Sequence, residues 1–160
     1  MQSHQLEKIV VSVGVGKMRA NNAQFEDKVL PELMKELAMI VGQKPATRKV
    51  KKSIAAFKTR EGDVVGVVTT LRGKKMDDFL VRLINVALPR VRDFRGINTT
   101  NLDSRGNLTI GIKEHTVFPE INPENSKANF GLEITLVAGT KNKEEGLALL
   151  SAFGFPFRDK

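Results

Sequence analysis

The sequence predicts an α+β fold: a mainly antiparallel sheet of about five strands, with helices packed on one face and a polar surface on the other. Three observations support this prediction. Several short segments are rich in β-branched residues or alternate apolar with polar positions, as strands do. Three longer segments repeat apolar residues at three- and four-residue steps, as amphipathic helices do. The strand-like segments are partly consecutive, which favours antiparallel pairing over alternating βαβ units.

The first strand and the first helix are defined by their ends. Lys8 to Val13 is a β-branched run that stops at two glycines, as a strand entering a tight turn does, and we expect it to be central in the sheet. Apolar residues from Phe25 to Val41 predict a helix that ends at Gly42. Because Pro31 lies within this pattern, the helix either kinks there or restarts with Pro31 in its first turn.

The later elements follow the same logic. Ala46 to Leu71 is predicted to form a long hairpin whose tip lies near Thr59 to Asp63. After it come an apolar helical stripe that Pro89 closes, two alternating strands and a capped last helix, over Met76 to Ala87, Leu108 to Ile112, Leu132 to Ala138 and Asn142 to Gly154.

Small polar residues recur at the strand positions that the helices would leave uncovered. An exposed polar face is common in antiparallel sheets. Beside a strongly basic hairpin, however, such a face favours a docking platform for the backbone of a folded RNA. The residues in question are Ser12, Thr69 or Thr70, Thr109 and Thr135.

The chain carries a formal net charge of +8, and most of it lies in one segment. The eighteen residues from Gln43 to Arg60, here called the basic stretch, contain no acidic residue. Charge concentrated in this way creates a local potential of several kT that attracts a polyanion, and the simplest such partner is nucleic acid. A solvated loop without a ligand is the alternative. The cations are Lys44, Arg48, Lys49, Lys51, Lys52, Lys58 and Arg60.

A second basic cluster follows the middle helix. Arginine forks suit phosphate oxygens, so Arg90, Arg92 and Arg105 are predicted ligand contacts. Phe94 lies among them and could stack on an unpaired base. We favour a packing role for Phe94.

Composition excludes several classes of function. The chain has no cysteine, which excludes zinc ribbons, thiol nucleophiles and disulfides. Neither of its histidines, His4 and His115, has an obvious nucleophile nearby, so we expect no enzymatic activity, cofactor or metal. The longest uncharged apolar run, Ile9 to Gly16, is far shorter than the roughly 20 residues that a bilayer demands. We expect one soluble intracellular domain over residues 1–160.

Long motifs identify a family. The chain contains, in order, LEKIVVSVGVG, IVGQKPATRKVKKSIAAFKTREG, VTTLRG, RLINVALPRVRDFRGI, DSRGNLTIGI, TVFPEI and FGFPF. These strings resemble the universal family of large-subunit ribosomal protein five, which binds 5S rRNA, over nearly the whole chain. The resemblance implies an α+β fold, a place in the central protuberance of the large subunit of the cytoplasmic ribosome, and no enzymatic activity.

The resemblance also implies partners and contact residues. The sheet face and adjoining loops would bind 5S rRNA and large-subunit rRNA, the hairpin tip would touch the P-site tRNA, and another surface would form an intersubunit bridge to a small-subunit head protein. With the basic residues already named, the predicted rRNA-binding set is Ser12, Gln43, Lys44, Arg48, Lys49, Lys51, Lys52, Ser53, Thr70, Arg72, Arg90 and Arg92. The tRNA loop matches Phe57, Lys58, Thr59, Arg60, Glu61 and Gly62, and the bridge contacts are Arg95, Arg105, Phe118 and Glu120.

Three features depart from the family pattern. Ser12 stands where the usual residue is asparagine, and the segment NPENSKANFG differs from the usual sequence. Family members usually carry an amino-terminal helix before the first strand, whereas this sequence begins almost on that strand; either the helix has been trimmed or it is absent in this lineage. A generic structured-RNA-binding protein and an RNA-acting enzyme are the alternatives to this assignment. Binding to an anionic membrane is disfavoured, because the cations lie mainly in a hairpin and not along an amphipathic helix.

Overall fold

The computed structural model describes residues 6–54, 56 and 59–158, and its centre is a five-stranded sheet. The strand order is β2-β3-β1-β5-β4, and every neighbouring pair is antiparallel. The predicted α+β fold is therefore confirmed, and the first strand is central, as expected. The strands are β1 (Lys8–Gly14), β2 (Ala46–Lys49), β3 (Val64–Leu71), β4 (Leu108–Ile112) and β5 (Leu132–Val137).

The helices lie on one side of this sheet. Two of the helical paths contain a π-helical turn, the first at its start, at Phe25–Val29, and the second in its interior, at Leu83–Ala87. In the described part of the chain, no helix is long and apolar enough to cross a membrane. The helices are α1 (Gly16–Asn21), α2 (Leu30–Val41), α3 (Gly73–Arg82), α4 (Leu88–Arg90) and α5 (Lys143–Ala152).

Both π-helical turns come immediately before a proline-containing segment. Pro31 lies in the first turn of α2, as one of the two predicted alternatives required. Pro89 does not close its helix, contrary to the prediction, because the path continues to Arg90. In each case the proline follows a wider turn, which the Leu30 N–H closes on the Phe25 carbonyl and the Leu88 N–H closes on the Leu83 carbonyl. A helical path that is widened in this way accommodates a residue without an N–H.

Alternate residues of each long strand face the helices. On β1, Ile9, Val11 and Val13 are at most 2% exposed and form the centre of the core. The opposite face, here called the open face, carries the intervening residues of each strand. Thr69 is 3% exposed and belongs to the covered face, so the sequence ambiguity resolves to Thr70 on the open face.

The hairpin between β2 and β3 carries a loop whose arms are paired with each other. Pairing continues beyond the two strands, because the Val50 N–H donates to the Asp63 carbonyl at 2.8 Å. Farther out, Ile54 pairs with Thr59. Residues Thr59 to Asp63 therefore belong to the returning arm of the loop, whose tip the sequence predicted near them.

Candidate nucleic-acid interface

The open face presents small polar side chains in register across the strands. Thr109 pairs with Thr135, and Thr135 in turn lies opposite Val10, whose other neighbour is Thr70. The Thr109 and Thr135 hydroxyl oxygens are 3.4 Å apart. Since the helices of the described chain lie on the other side of the sheet, the hydroxyl groups of this row are available to a ligand in the way that the sequence predicted.

A second row contains Ser12 and an acidic residue that the sequence analysis missed. Ser12 pairs with Val68 on one side and with Glu133 on the other, and Glu133 pairs with Gly111. These residues border a concavity of about 660 Å³, which Arg48 and Lys113 also line. Glycines are among its lining residues, and a Cβ atom added at Gly111 would meet no atom within 4 Å.

Two predicted RNA contacts lie side by side at the end of α2. The helix ends at Gly42, which has the left-handed conformation (φ 75°) that favours glycine. The chain then turns toward the sheet, and the Gln43 side-chain amide donates to the Thr70 carbonyl at 3.0 Å. The structure thus brings Gln43 and Thr70 together, although they are 27 residues apart.

The described cations of the basic stretch are exposed, and no described carboxylate neutralises them. Two ion pairs occur within the described residues, joining Arg19 to Asp63 and Arg82 to Glu120, and His115 is hydrogen-bonded to Glu36. No described cation of the basic stretch takes part in them. The positive potential expected from the sequence is therefore left to act on an external anion. The exposed cations are Lys44, Arg48, Lys49, Lys51, Lys52 and Arg60.

The predicted tRNA loop is described only in part, since Phe57 and Lys58 lie outside the described residues. Ser53 and Glu61 hold the two arms together, because the Glu61 N–H donates to the Ser53 hydroxyl at 3.0 Å. Arg60, Glu61 and Gly62 are exposed, and Thr59 is half-buried.

The predicted contact arginines outside the basic stretch are also exposed. Phe94, in contrast, is half-buried and packs against the core, which agrees with the packing role preferred from the sequence. The exposed arginines are Arg72, Arg90, Arg92, Arg95 and Arg105.

Arg105 belongs to a turn that is organised by Asp103. The Asp103 carboxylate accepts hydrogen bonds from the backbone N–H groups of Arg105 and Asn107, at 2.8 and 2.9 Å, and from the Asn107 side chain at 2.9 Å. Burial raises the pKa of the Asp103 carboxyl, but these hydrogen bonds outweigh it and hold the pKa below its usual value. The turn is therefore stable with Asp103 ionised.

Two of the predicted bridge contacts are engaged inside the protein. Phe118 has no exposed surface and stacks on Phe79, with ring centroids 5.9 Å apart. We correct the assignment of Phe118, because a core side chain has no surface to offer a partner. Glu120 is bound by Arg82, whose Nη1 lies 2.8 Å from a carboxylate oxygen and also donates to the Ile40 carbonyl at 2.8 Å.

The fold also brings a serine to His115. Nε2 of His115 lies 2.9 Å from a Glu36 carboxylate oxygen and 3.1 Å from the hydroxyl oxygen of that serine, Ser126. The prediction that no nucleophile lies near a histidine is therefore wrong for His115. The arrangement still lacks catalytic geometry: in a Ser-His-acid relay the hydroxyl and the carboxylate use opposite ring nitrogens, whereas here they share one, and the imidazole is fully buried.

An open polar sheet face beside a loop of exposed cations is typical of proteins that bind nucleic acid. Comparison with known proteins gives a family. Residues 1–60 match the family model described as ribosomal protein L5, and residues 64–157 match the model described as the C-terminus of the same ribosomal family. The chain belongs to the ribosomal protein L5 family. Because this is a family of ribosomal structural proteins, the predictions of a ribosomal location and of no enzymatic activity are confirmed.

Three relatives illustrate the similarity. Large ribosomal subunit protein uL5 of Dichelobacter nodosus is 49% identical over 158 residues, which cover 99% of this chain and 86% of the relative. The protein of the same name from Oenococcus oeni is 52% identical, covering 98% and 84%. Large ribosomal subunit protein uL5c of Gracilaria tenuistipitata var. liui is 52% identical, again covering 98% and 84%.

Proposed function

We propose that this protein is a structural constituent of the large ribosomal subunit and that it binds rRNA, 5S rRNA included, through the open face and the basic stretch. The relatives are named as large-subunit proteins. The observation that carries the proposal is the placement of exposed, unneutralised cations at the edge of the open face. Arg48 connects the two, because it belongs to the basic stretch and lies on β2 opposite Gly66.

The two surfaces have different tasks. The lysines and arginines of the basic stretch supply affinity through phosphate contacts that are insensitive to sequence. The hydroxyls of Ser12 and Thr70 and the amide of Gln43 are short, fixed groups that can select a particular RNA shape by contacts to riboses and base edges. Glu133 repels phosphate, so the RNA must present hydrogen-bond donors at that point of the face.

Salt dependence tests this proposal. If five to seven phosphates are engaged, the affinity for 5S rRNA falls with salt with a log-log slope of about −4 to −6. The double substitution Lys51→Ala with Lys52→Ala weakens binding and makes the slope shallower by about 1.5. Lys141→Ala with Lys143→Ala removes the same charge outside the basic stretch and is the matched control. A flat salt response of the unmodified protein, or its full affinity in the first variant, overturns the proposal.

We propose further that the loop arm Thr59 to Gly62 contacts the P-site tRNA, with Phe57 and Lys58, and that Arg95 and Arg105 face a small-subunit head protein. The support is the exposure of Arg60, Glu61 and Gly62 on one segment and of Arg95 and Arg105 on another, together with the family resemblance. A photoreactive residue placed at Arg60 should crosslink to tRNA in assembled ribosomes, and one placed at Arg95 should crosslink to protein. The opposite pattern, or crosslinks to large-subunit rRNA alone, contradicts these contacts.

A further inference from the structure

The loop between β2 and β3 joins the sheet through a narrow neck. The register shifts between Arg48 and Lys49, which is where the regular pairing of β2 with β3 ends. Beyond that point, Val50 exchanges backbone hydrogen bonds with Asp63 and Gly62, at 2.8 and 2.9 Å. Farther out, the hydrogen bonds found among the described residues join loop residues only to each other. The direction of the loop therefore depends on its neck.

Asp63 ties this neck to a different part of the chain. One carboxylate oxygen accepts the Arg60 backbone N–H at 2.6 Å and lies 2.5 Å from Nη2 of Arg19 on α1. The Arg19 and Asp63 side chains are only 22% and 17% exposed, respectively. Charge-assisted hydrogen bonds are shorter and stronger than neutral ones, and partial burial limits their screening by salt.

Arg19 is itself held to the sheet. The preceding helical turn begins at Val15, which is fully buried, and the Val15 N–H donates to the Val65 carbonyl at 3.0 Å. The Val15 carbonyl in turn accepts the Arg19 N–H at 3.0 Å. A continuous connection thus runs from β3 through Arg19 and Asp63 to Arg60 on the loop.

We propose that Arg19 is a positioning residue that sets the direction of the basic stretch relative to the open face. A loop of like charges on a neck with a register shift has no strong preference of its own for one direction, because its cations repel each other. The Arg19–Asp63 pair selects one direction before RNA binds, which reduces the ordering cost of binding. The inference rests on the proposed function only for its RNA readout, since the geometry can be measured without RNA.

The geometric test uses the absence of native cysteine. Spin labels at Lys52→Cys and Asn85→Cys, both exposed, report the distance from the loop to the helix layer. We expect one narrow distance distribution in the parent and in Lys17→Gln, which removes the same charge from the same short helix. Arg19→Gln should broaden or shift the distribution, and Arg19→Lys should partly restore it. An unchanged distribution in Arg19→Gln overturns the proposal.

RNA binding gives the second readout. Arg19→Gln should weaken 5S rRNA binding about three- to tenfold with an unchanged salt slope, because the ordering cost of binding rises while the phosphate contacts stay the same. If Arg19 served merely to neutralise Asp63, Asp63→Asn would tighten RNA binding. Tighter binding by Asp63→Asn, or a changed salt slope in Arg19→Gln, counts against the positioning role. If the parent binds no 5S rRNA while the distances respond as expected, the proposed function fails and the positioning role stands.

Discussion

The buried imidazole of His115 lies 2.9 Å from the carboxylate of Glu36, a residue 79 positions earlier on α2. The Phe130 N–H donates to the other ring nitrogen, Nδ1, at 3.5 Å, and the Phe130 ring stacks on the imidazole. This network assigns the proton of a neutral His115 to Nε2, which then donates to Glu36. The pair therefore fastens the segment around His115 to the helix layer.

Removal of the Glu36 carboxylate should deprive the buried Nε2–H group of His115 of its carboxylate acceptor. We expect Glu36→Ala to lower the free energy of unfolding by about 1 to 3 kcal/mol, measured by urea denaturation. Glu32→Ala, one turn earlier on α2, is the control and should have a small effect. Equal losses in the two variants would show that the contact with His115 contributes nothing of its own.

Gly106 and Gly146 approach each other so closely that neither position has room for a side chain. A Cβ atom on Gly146 would lie 2.3 Å from the Gly106 Cα. Helix propensity alone favours alanine over glycine within α5 by about 1 kcal/mol. We expect the clash to prevail, so Gly146→Ala should destabilise the protein by about 1 to 3 kcal/mol in urea denaturation.

Gly111→Ala is the matched control for this prediction, because a Cβ atom there meets nothing within 4 Å. Its stability should stay close to that of the parent. A stabilised Gly146→Ala protein would mean that the turn containing Arg105 does not rest on α5 in solution.

Local patterns were sufficient for much of the fold. The alternation of Leu108 to Ile112 predicts a strand, and Gly42 predicts the end of a helix. The structure agrees with both predictions. The sequence of β3, VVGVVTTL, does not alternate, so it could not assign Thr69 and Thr70 to faces. The prediction that Pro89 closes its helix was wrong because the effect of the proline depends on the π-helical turn before it. No local sequence pattern predicts that turn.

The candidate site divides in the same way. The basic stretch was visible because charge concentration is a property of composition. The Arg19–Asp63 and Glu36–His115 pairs were not, since each joins segments that are far apart in the chain. Phe118 was misassigned because a motif shows that a residue belongs to a segment and does not show which way its side chain points.

We expect the structure of the turn from Asp103 to Asn107 to depend on pH in the acid range. Because the pKa of Asp103 is lowered in the folded state, ionised Asp103 stabilises the turn above its unfolded pKa, and this contribution is lost as the pH falls through the folded value. The Arg105 and Asn107 amides should therefore keep their native NMR shifts at pH 5 and change only below about pH 4. Asp103→Asn should abolish this pH dependence. A midpoint at or above 3.8 contradicts the lowered pKa.

We expect the substitution of threonine by valine to have different effects on stability and RNA affinity at Thr69 and at Thr70, which are adjacent on β3. The Thr69 hydroxyl is buried on the covered face without a hydrogen-bond partner among the described residues, whereas Thr70 is half-buried on the open face. Thr69→Val removes an unsatisfied polar atom, so it should stabilise the protein by about 1 kcal/mol and leave RNA affinity unchanged. Thr70→Val should leave stability nearly unchanged and weaken 5S rRNA binding severalfold, because it removes a hydroxyl from the proposed docking face.

Each variant is the control for the other, since both make the same chemical change one residue apart on one strand. Urea denaturation and RNA titration of the two proteins give four values, and the expected pattern is a gain of stability only at position 69 and a loss of affinity only at position 70. If Thr69→Val weakens RNA binding as much as Thr70→Val, the hydroxyls act through the fold and the open face is not the surface that reads the RNA.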